Sequence, residues 1–164
     1  CRSLGRRIGW VEAPEFIDEA MEFVQSSTIL SPDKLHQMAF GKFINDSIED
    51  GSLDVYLQNT RKLYKNAAEK TASLIRKHLD FPIIEPDGGL YIFMDVKTNS
   101  AKFVENILTK TGVLFIPGWG FGRTGTNAVR LSFGPLVGEI DKIKQGIIKI
   151  AKYLNETQPF LNIN

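Results

Sequence analysis

The apolar pattern of this chain changes period once, near Leu79, and that change constrains the fold more than any other feature. Before it, apolar residues recur every three or four positions, as on one face of a helix. After it, they come in short runs bounded by glycine and proline, as in strands. A chain that reads helix, helix, then strand, strand, helix, strand, strand, helix has to bury a sheet against helices. The expected fold class is therefore α/β, with a sheet of three or four strands covered by helices on one side. At 164 residues the chain is long enough to bury one real core.

The helical half opens with an apolar run, Arg7 to Val11, which predicts a strand. It has no partner nearby and is expected to join a larger sheet. Phe16, Ile17, Ala20, Met21, Phe23 and Val24 predict a helix from Pro14 to about Val24, with Ser26 to Leu30 as a connection. Ser31 is expected to cap the next helix, with Pro32 at its first position and Gly51 as its stop. Ser52 is then expected to cap a long helix from Leu53 to Leu79.

In the second half, Phe81 to Glu85 predicts a short strand and Pro86-Asp-Gly-Gly89 a turn. Leu90 to Val96 is apolar at nearly every position, which predicts a central strand covered on both faces. Ser100 is expected to cap a helix that stops at Gly112. Val113 to Ile116 and Ala128 to Phe133 predict two further strands, joined by a glycine-rich loop. Leu136 to Leu154 predicts the last helix, and the tail from Glu156 has little pattern.

Composition removes several function classes. The formal net charge of +1 gives no broad pull toward nucleic acid or anionic membrane. No apolar run is long enough to span a bilayer. The single cysteine, Cys1, allows no internal disulfide and fits a reducing compartment. His36 and His78 each lie on a predicted helix without clustered acids or cysteines, so no metal site is expected. With so few histidines no Ser-His-Asp set can be assembled.

Two places could carry chemistry. In Asn127-Ala-Val-Arg-Leu-Ser-Phe133, strand alternation points Val129, Leu131 and Phe133 one way and Arg130 and Ser132 the other. Arg130 thus stands on the face opposite the apolar one, and its guanidinium fork matches a carboxylate. Alternation alone also fits, and more readily, an arginine on a solvated sheet surface. Arg6 and Arg7, beside Gly5 and Gly9, could grip a phosphate or be two solvated charges. Gly120-Phe-Gly-Arg-Thr-Gly125 fits G-x-G-x-x-G by letter, but a strand follows it. No helix N-terminus is there to receive a pyrophosphate, so the dinucleotide reading fails and a close-packed loop is expected.

Three segments, taken together, resemble the fold-type-I, class I/II aminotransferases, which depend on pyridoxal phosphate. They are Gly5-Arg-Arg-Ile-Gly-Trp10, Pro86-Asp-Gly-Gly-Leu-Tyr-Ile-Phe93, and Gly112-Val113 with Pro117-Gly118, Phe121-Gly122 and Asn127-Ala-Val-Arg-Leu-Ser132. The resemblance covers residues 4–154. It implies the C-terminal part of such a transferase: residues 1–30 a remnant of the large cofactor-binding domain, 31–79 long interdomain helices, 80–155 the small α/β domain, and 156–164 a tail. It implies that Arg7 binds the cofactor phosphate and Arg130 the substrate α-carboxylate. The family's Schiff-base lysine falls upstream of Cys1, so no catalytic residue is expected here and the chain alone is expected to be inactive. Amino-acid and 2-oxo-acid substrates, a homodimer and a cytoplasmic location are implied as well. Glu49-Asp-Gly-Ser-Leu-Asp54, with Arg61 and Tyr64, is similar to the 2-aminoadipate and kynurenine aminotransferase branch. The competing readings are another fold-type-I enzyme, such as a carbon–sulfur lyase, and a free-standing, non-catalytic α/β binding domain.

Overall fold

The computed structural model describes residues 8–30 and 33–157. The chain divides within its longest helix into two compact units, at Leu57 and Gln58.

In the N-terminal unit, residues 8–14 form no strand. The strand expected from Arg7 to Val11 is thus not seen over its described part, Ile8 to Val11. A strand is held by a neighbour's backbone groups, and no described segment pairs with this one. A 3-10 turn, Glu15–Ile17, leads into helix α1, Asp18–Thr28. This helix outlasts its expected end at Val24. The hydroxyls of Ser26, Ser27 and Thr28 donate to carbonyls of Phe23 and Val24 one turn back, which lets polar residues continue the helix. It stops where Leu30 takes a φ of 61°. Helix α2, Lys34–Glu49, is capped by Asp33, whose carboxylate accepts the His36 amide hydrogen. The cap expected at Ser31 is therefore displaced, and Ser31 and Pro32 lie outside the described residues. Gly51, at a φ of 73°, ends this run as expected. Helix α3, Ser52–His78, starts with the Ser52 amide donating to the Asp50 carboxylate, so Asp50 does the capping expected of Ser52.

The C-terminal unit holds the core. Strands β1 (Tyr91–Asp95), β2 (Ile116–Pro117) and β3 (Ala128–Ser132) form an antiparallel sheet in the order β1-β3-β2. Helix α4 is Ser100–Thr111 and helix α5 is Ile140–Thr157. One sheet face supplies Ile92, Met94, Val129 and Leu131 to the core. Against it pack Phe103, Val104 and Ile107 from α4, Ile143, Ile147 and Ile150 from α5, and Ala67, Ala72 and Ile75 from α3. Each buried aliphatic side chain of this kind contributes about 1.5–3 kcal/mol. Thr71, buried among the α3 residues, donates its hydroxyl to the Ala67 carbonyl and leaves no polar group unpaired there.

Several expectations change. The strand expected over Val113 to Ile116 is seen only at Ile116–Pro117, and the last helix runs from Ile140 to Thr157 rather than from Leu136 to Leu154. The central strand is β3, not β1, and β1 is covered on one face only: Ile92 and Met94 are buried while Tyr91 is 45% exposed. The strand expected over Phe81 to Glu85 reduces to one bridge, Ile83 to Met94, with Ile84 donating to the Phe93 carbonyl and Asp95 to that of Pro82. Pro82 has no N–H to extend the ladder. Helix α4 is capped by Asn99, which accepts the Lys102 amide hydrogen, rather than by Ser100. Its stop at Gly112, with a φ of 72°, is as expected. No described helix is long and apolar enough to cross a membrane.

Candidate functional site

Antiparallel register fixes what surrounds Arg130. It lies opposite Phe93 on β1 and opposite Ile116 on β2, so the three side chains form a row across the sheet. The row stands on the face away from the core, because its neighbours Val129 and Leu131 are buried on the other side. The alternation read from the sequence therefore holds along this strand.

The guanidinium carbon of Arg130 sits over two rings, 4.2 Å from the Tyr91 centroid and 4.9 Å from that of Phe121. Among the described residues it makes no ion pair. Its Nε is buried and has no hydrogen-bond partner among the described residues. A buried, unmet donor on a cation is costly, and an incoming carboxylate would relieve that cost with charge-assisted bonds. Asp95, on the same sheet face but at the end of β1, instead accepts the Lys97 amide hydrogen at 2.8 Å.

The glycine-rich loop forms two 3-10 turns, Gly118–Phe121 and Arg123–Gly125, and runs into β3, with no helix following it. Two of its glycines are required by contact. A Cβ on Gly118 would lie 2.5 Å from the carbonyl oxygens of both Ala128 and Gly125. A Cβ on Gly125 would lie 2.2 Å from that of Gly118. Gly122 takes a φ of 129°, open to glycine alone at low cost. The loop is a close-packed backbone device, as expected, and it carries Phe121 to Arg130.

The other sequence candidates fall elsewhere. Arg6 and Arg7 lie outside the described residues. His36 is in the first turn of α2, hydrogen-bonded to Asp33, and His78 closes α3. Among the described residues no group of three or more His, Cys, Asp or Glu could hold a metal. The carboxylates held below their ordinary range are Asp33 and Asp50. The side-chain bond from His36 acts first on Asp33, and that from Ser52 on Asp50. Both sit at helix starts, not on the sheet face. Sequence reasoning missed Tyr91 and Phe121. Tyr91 alternates with the buried Ile92 and so was legible once β1 is taken as one-sided. Phe121 reaches the site through the loop's conformation, which no periodicity encodes.

The sequence model described as "Aminotransferase class I and II" matches residues 3–146. The chain belongs to that family. The aromatic-amino-acid aminotransferase 2 of Thermococcus litoralis is 27% identical over 158 residues, which is 93% of this chain and 38% of the relative. The chain thus spans well under half of that relative's length. Among solved structures, the aromatic aminotransferase from Pyrococcus horikoshii superposes with a TM-score of 0.81 at 26% identity, covering 95% of this chain and 40% of that one. An α-aminoadipate aminotransferase from Thermus thermophilus, complexed with N-(5'-phosphopyridoxyl)-L-leucine, gives 0.77 at 22% identity over 97% of this chain and 40% of that one. That last likeness speaks to the fold alone. The architecture is that of the C-terminal part of a fold-type-I aminotransferase. These relatives are named for different substrates, so family membership selects none.

Proposed function

We propose that this chain is the C-terminal portion of an enzyme that moves an amino group between an amino acid and a 2-oxo acid through pyridoxal phosphate. We assign to Arg130 the substrate α-carboxylate. The observation that carries this reading is a guanidinium unpaired among the described residues, its Nε buried without an acceptor there, on the open face of the central strand. Two parallel N–H bonds to a carboxylate would fix the amino acid's orientation, and a fixed Cα–H bond is the main gain from binding before proton transfer.

The cofactor supplies the electron sink when bound. Arg7, between Gly5 and Gly9, has the donor chemistry for its phosphate. The lysine that would move the proton is assigned to sequence before Cys1, so this chain alone should give no turnover. We assign residues 1–30 to the large domain, 31–79 to interdomain helices, 80–155 to the small domain and 156–164 to a tail. The exposed Trp10 and Phe16 support the first of these. A homodimer and a cytoplasmic site of action complete the reading, the latter supported by the single cysteine.

The test is Arg130→Ala in the intact enzyme, assayed with an amino acid and a 2-oxo acid. KM for the amino acid should rise steeply, a loss of about 2–5 kcal/mol in binding. Arg130→Lys should recover little, because an ammonium keeps the charge and loses the fork. An unchanged KM in the alanine variant would remove Arg130 from the role.

A further inference from the structure

We propose that Tyr91 and Phe121 are positioning residues that hold the Arg130 guanidinium in place without consuming its hydrogen-bond donors. A ring face attracts a cation through its quadrupole and competes only weakly for its N–H donors. An acidic neighbour would hold the arginine equally well and would then compete with an incoming carboxylate. The rings at 4.2 and 4.9 Å solve that conflict: the cation is placed, and no acidic group among the described residues takes up its donors.

The surroundings show that Phe121 is put there by construction. Its ring meets Phe93 edge to face, with centroids 5.7 Å apart at 85°. Phe93 in turn abuts Gly118, where any Cβ would come within 2.9 Å of its Cζ. Gly118 and Gly125 close the loop backbone to backbone. The tight loop therefore ends in one ring set beside one guanidinium. Neither ring serves the core: Phe121 is 53% exposed and Tyr91 45%. The consequence for binding rests on the assignment of Arg130 as the carboxylate anchor; the placement does not.

The placement is tested on the 164-residue chain by following the Arg130 Nε–Hε resonance. It should be shifted upfield by the rings. Phe121→Leu and Tyr91→Leu should each move it toward the position of a free arginine, and Phe121→Tyr and Tyr91→Phe should keep it. Unchanged resonances of Ile143 and Ile147 report that the fold persists in every variant. A resonance indifferent to both leucine variants overturns the proposal. In the intact enzyme, each leucine variant should raise KM for the amino acid roughly three- to tenfold with kcat unchanged, and the aromatic replacements should restore it. If the resonance moves while KM does not, the positioning role is overturned. If Arg130→Ala also leaves KM unchanged, it is the carboxylate assignment that fails.

Discussion

The two units of this chain use their apolar residues in opposite ways. From Gln58 onward, Phe133, Ile75, Ile92, Met94, Ile147 and Ile150 are almost wholly hidden, and sheet, α3, α4 and α5 share one core. Up to Leu57, only Ser47 is buried among the described residues, while Phe16, Phe23, Leu35 and Met38 stay mostly exposed. The first unit has the helical pattern without the burial that normally stabilises a helix. Its helices are written by local signals: the Asp33 cap, the Asp50 cap and the Gly51 stop. Stability and site geometry should therefore respond to mutation in the second unit, and the first should respond mainly to local changes.

The largest effect is expected at Phe133, which is fully buried against the sheet's helical cover. Phe133→Ala should cost about 3–5 kcal/mol, read as a lower urea midpoint for the C-terminal unit. A smaller loss would mean that the core can collapse onto the cavity, and the contrast between units would weaken.

Next is Gly118→Ala. The new methyl would meet two carbonyl oxygens at 2.5 Å, and backbone cannot yield as a side-chain tip can. Overpacking of this kind costs about 1–3 kcal/mol. The same change should displace Phe121 from Arg130, so a stability loss with an unmoved Arg130 resonance would break the link drawn between loop and site.

What the sequence made legible follows this division. In β3 the pattern was sufficient, because alternation and a single buried face put Arg130 on the open side. For β1 the apolar run suggested cover on both faces, and the structure gives Tyr91 and Phe93 an open face next to an arginine instead. An aromatic on an open face and an aromatic in a core look alike in sequence; only register tells them apart. The caps were misplaced by two residues at α2 and by one at α4, since Ser31, Asp33, Asn99 and Ser100 are all competent caps and geometry chooses. The segment from Phe81 to Glu85 had strand composition, but Pro82 left it a single bridge.

A smaller effect is expected on the surface of the first unit. Leu35 is 72% exposed on α2, so Leu35→Ser should shift the stability of this chain by no more than about 0.5 kcal/mol. If residues 31–79 are interdomain helices in the longer protein, the same change there should cost on the order of 2 kcal/mol. A large loss in the chain itself would mean that this face is already covered, and the contrast with the core would fail at its base.

The smallest effect concerns pH and is confined to helix starts. Asp33 and Asp50 are held below the ordinary aspartate value of 3.8, the first chiefly by the His36 side chain and the second by that of Ser52. A carboxyl depressed in the folded state contributes stability that is fully present above its unfolded value and is lost as pH falls through the folded one. Both groups are solvent-exposed, so the expected change is local fraying: below about pH 3.8 the amides of His36 and Ser52 should lose exchange protection. Those of Ile143 to Ile150, in a helix whose inner face is aliphatic, should keep theirs over the same range. Equal loss in both places would show that acid opens the whole chain at once, and that the two caps do not set the acid sensitivity of these helix starts.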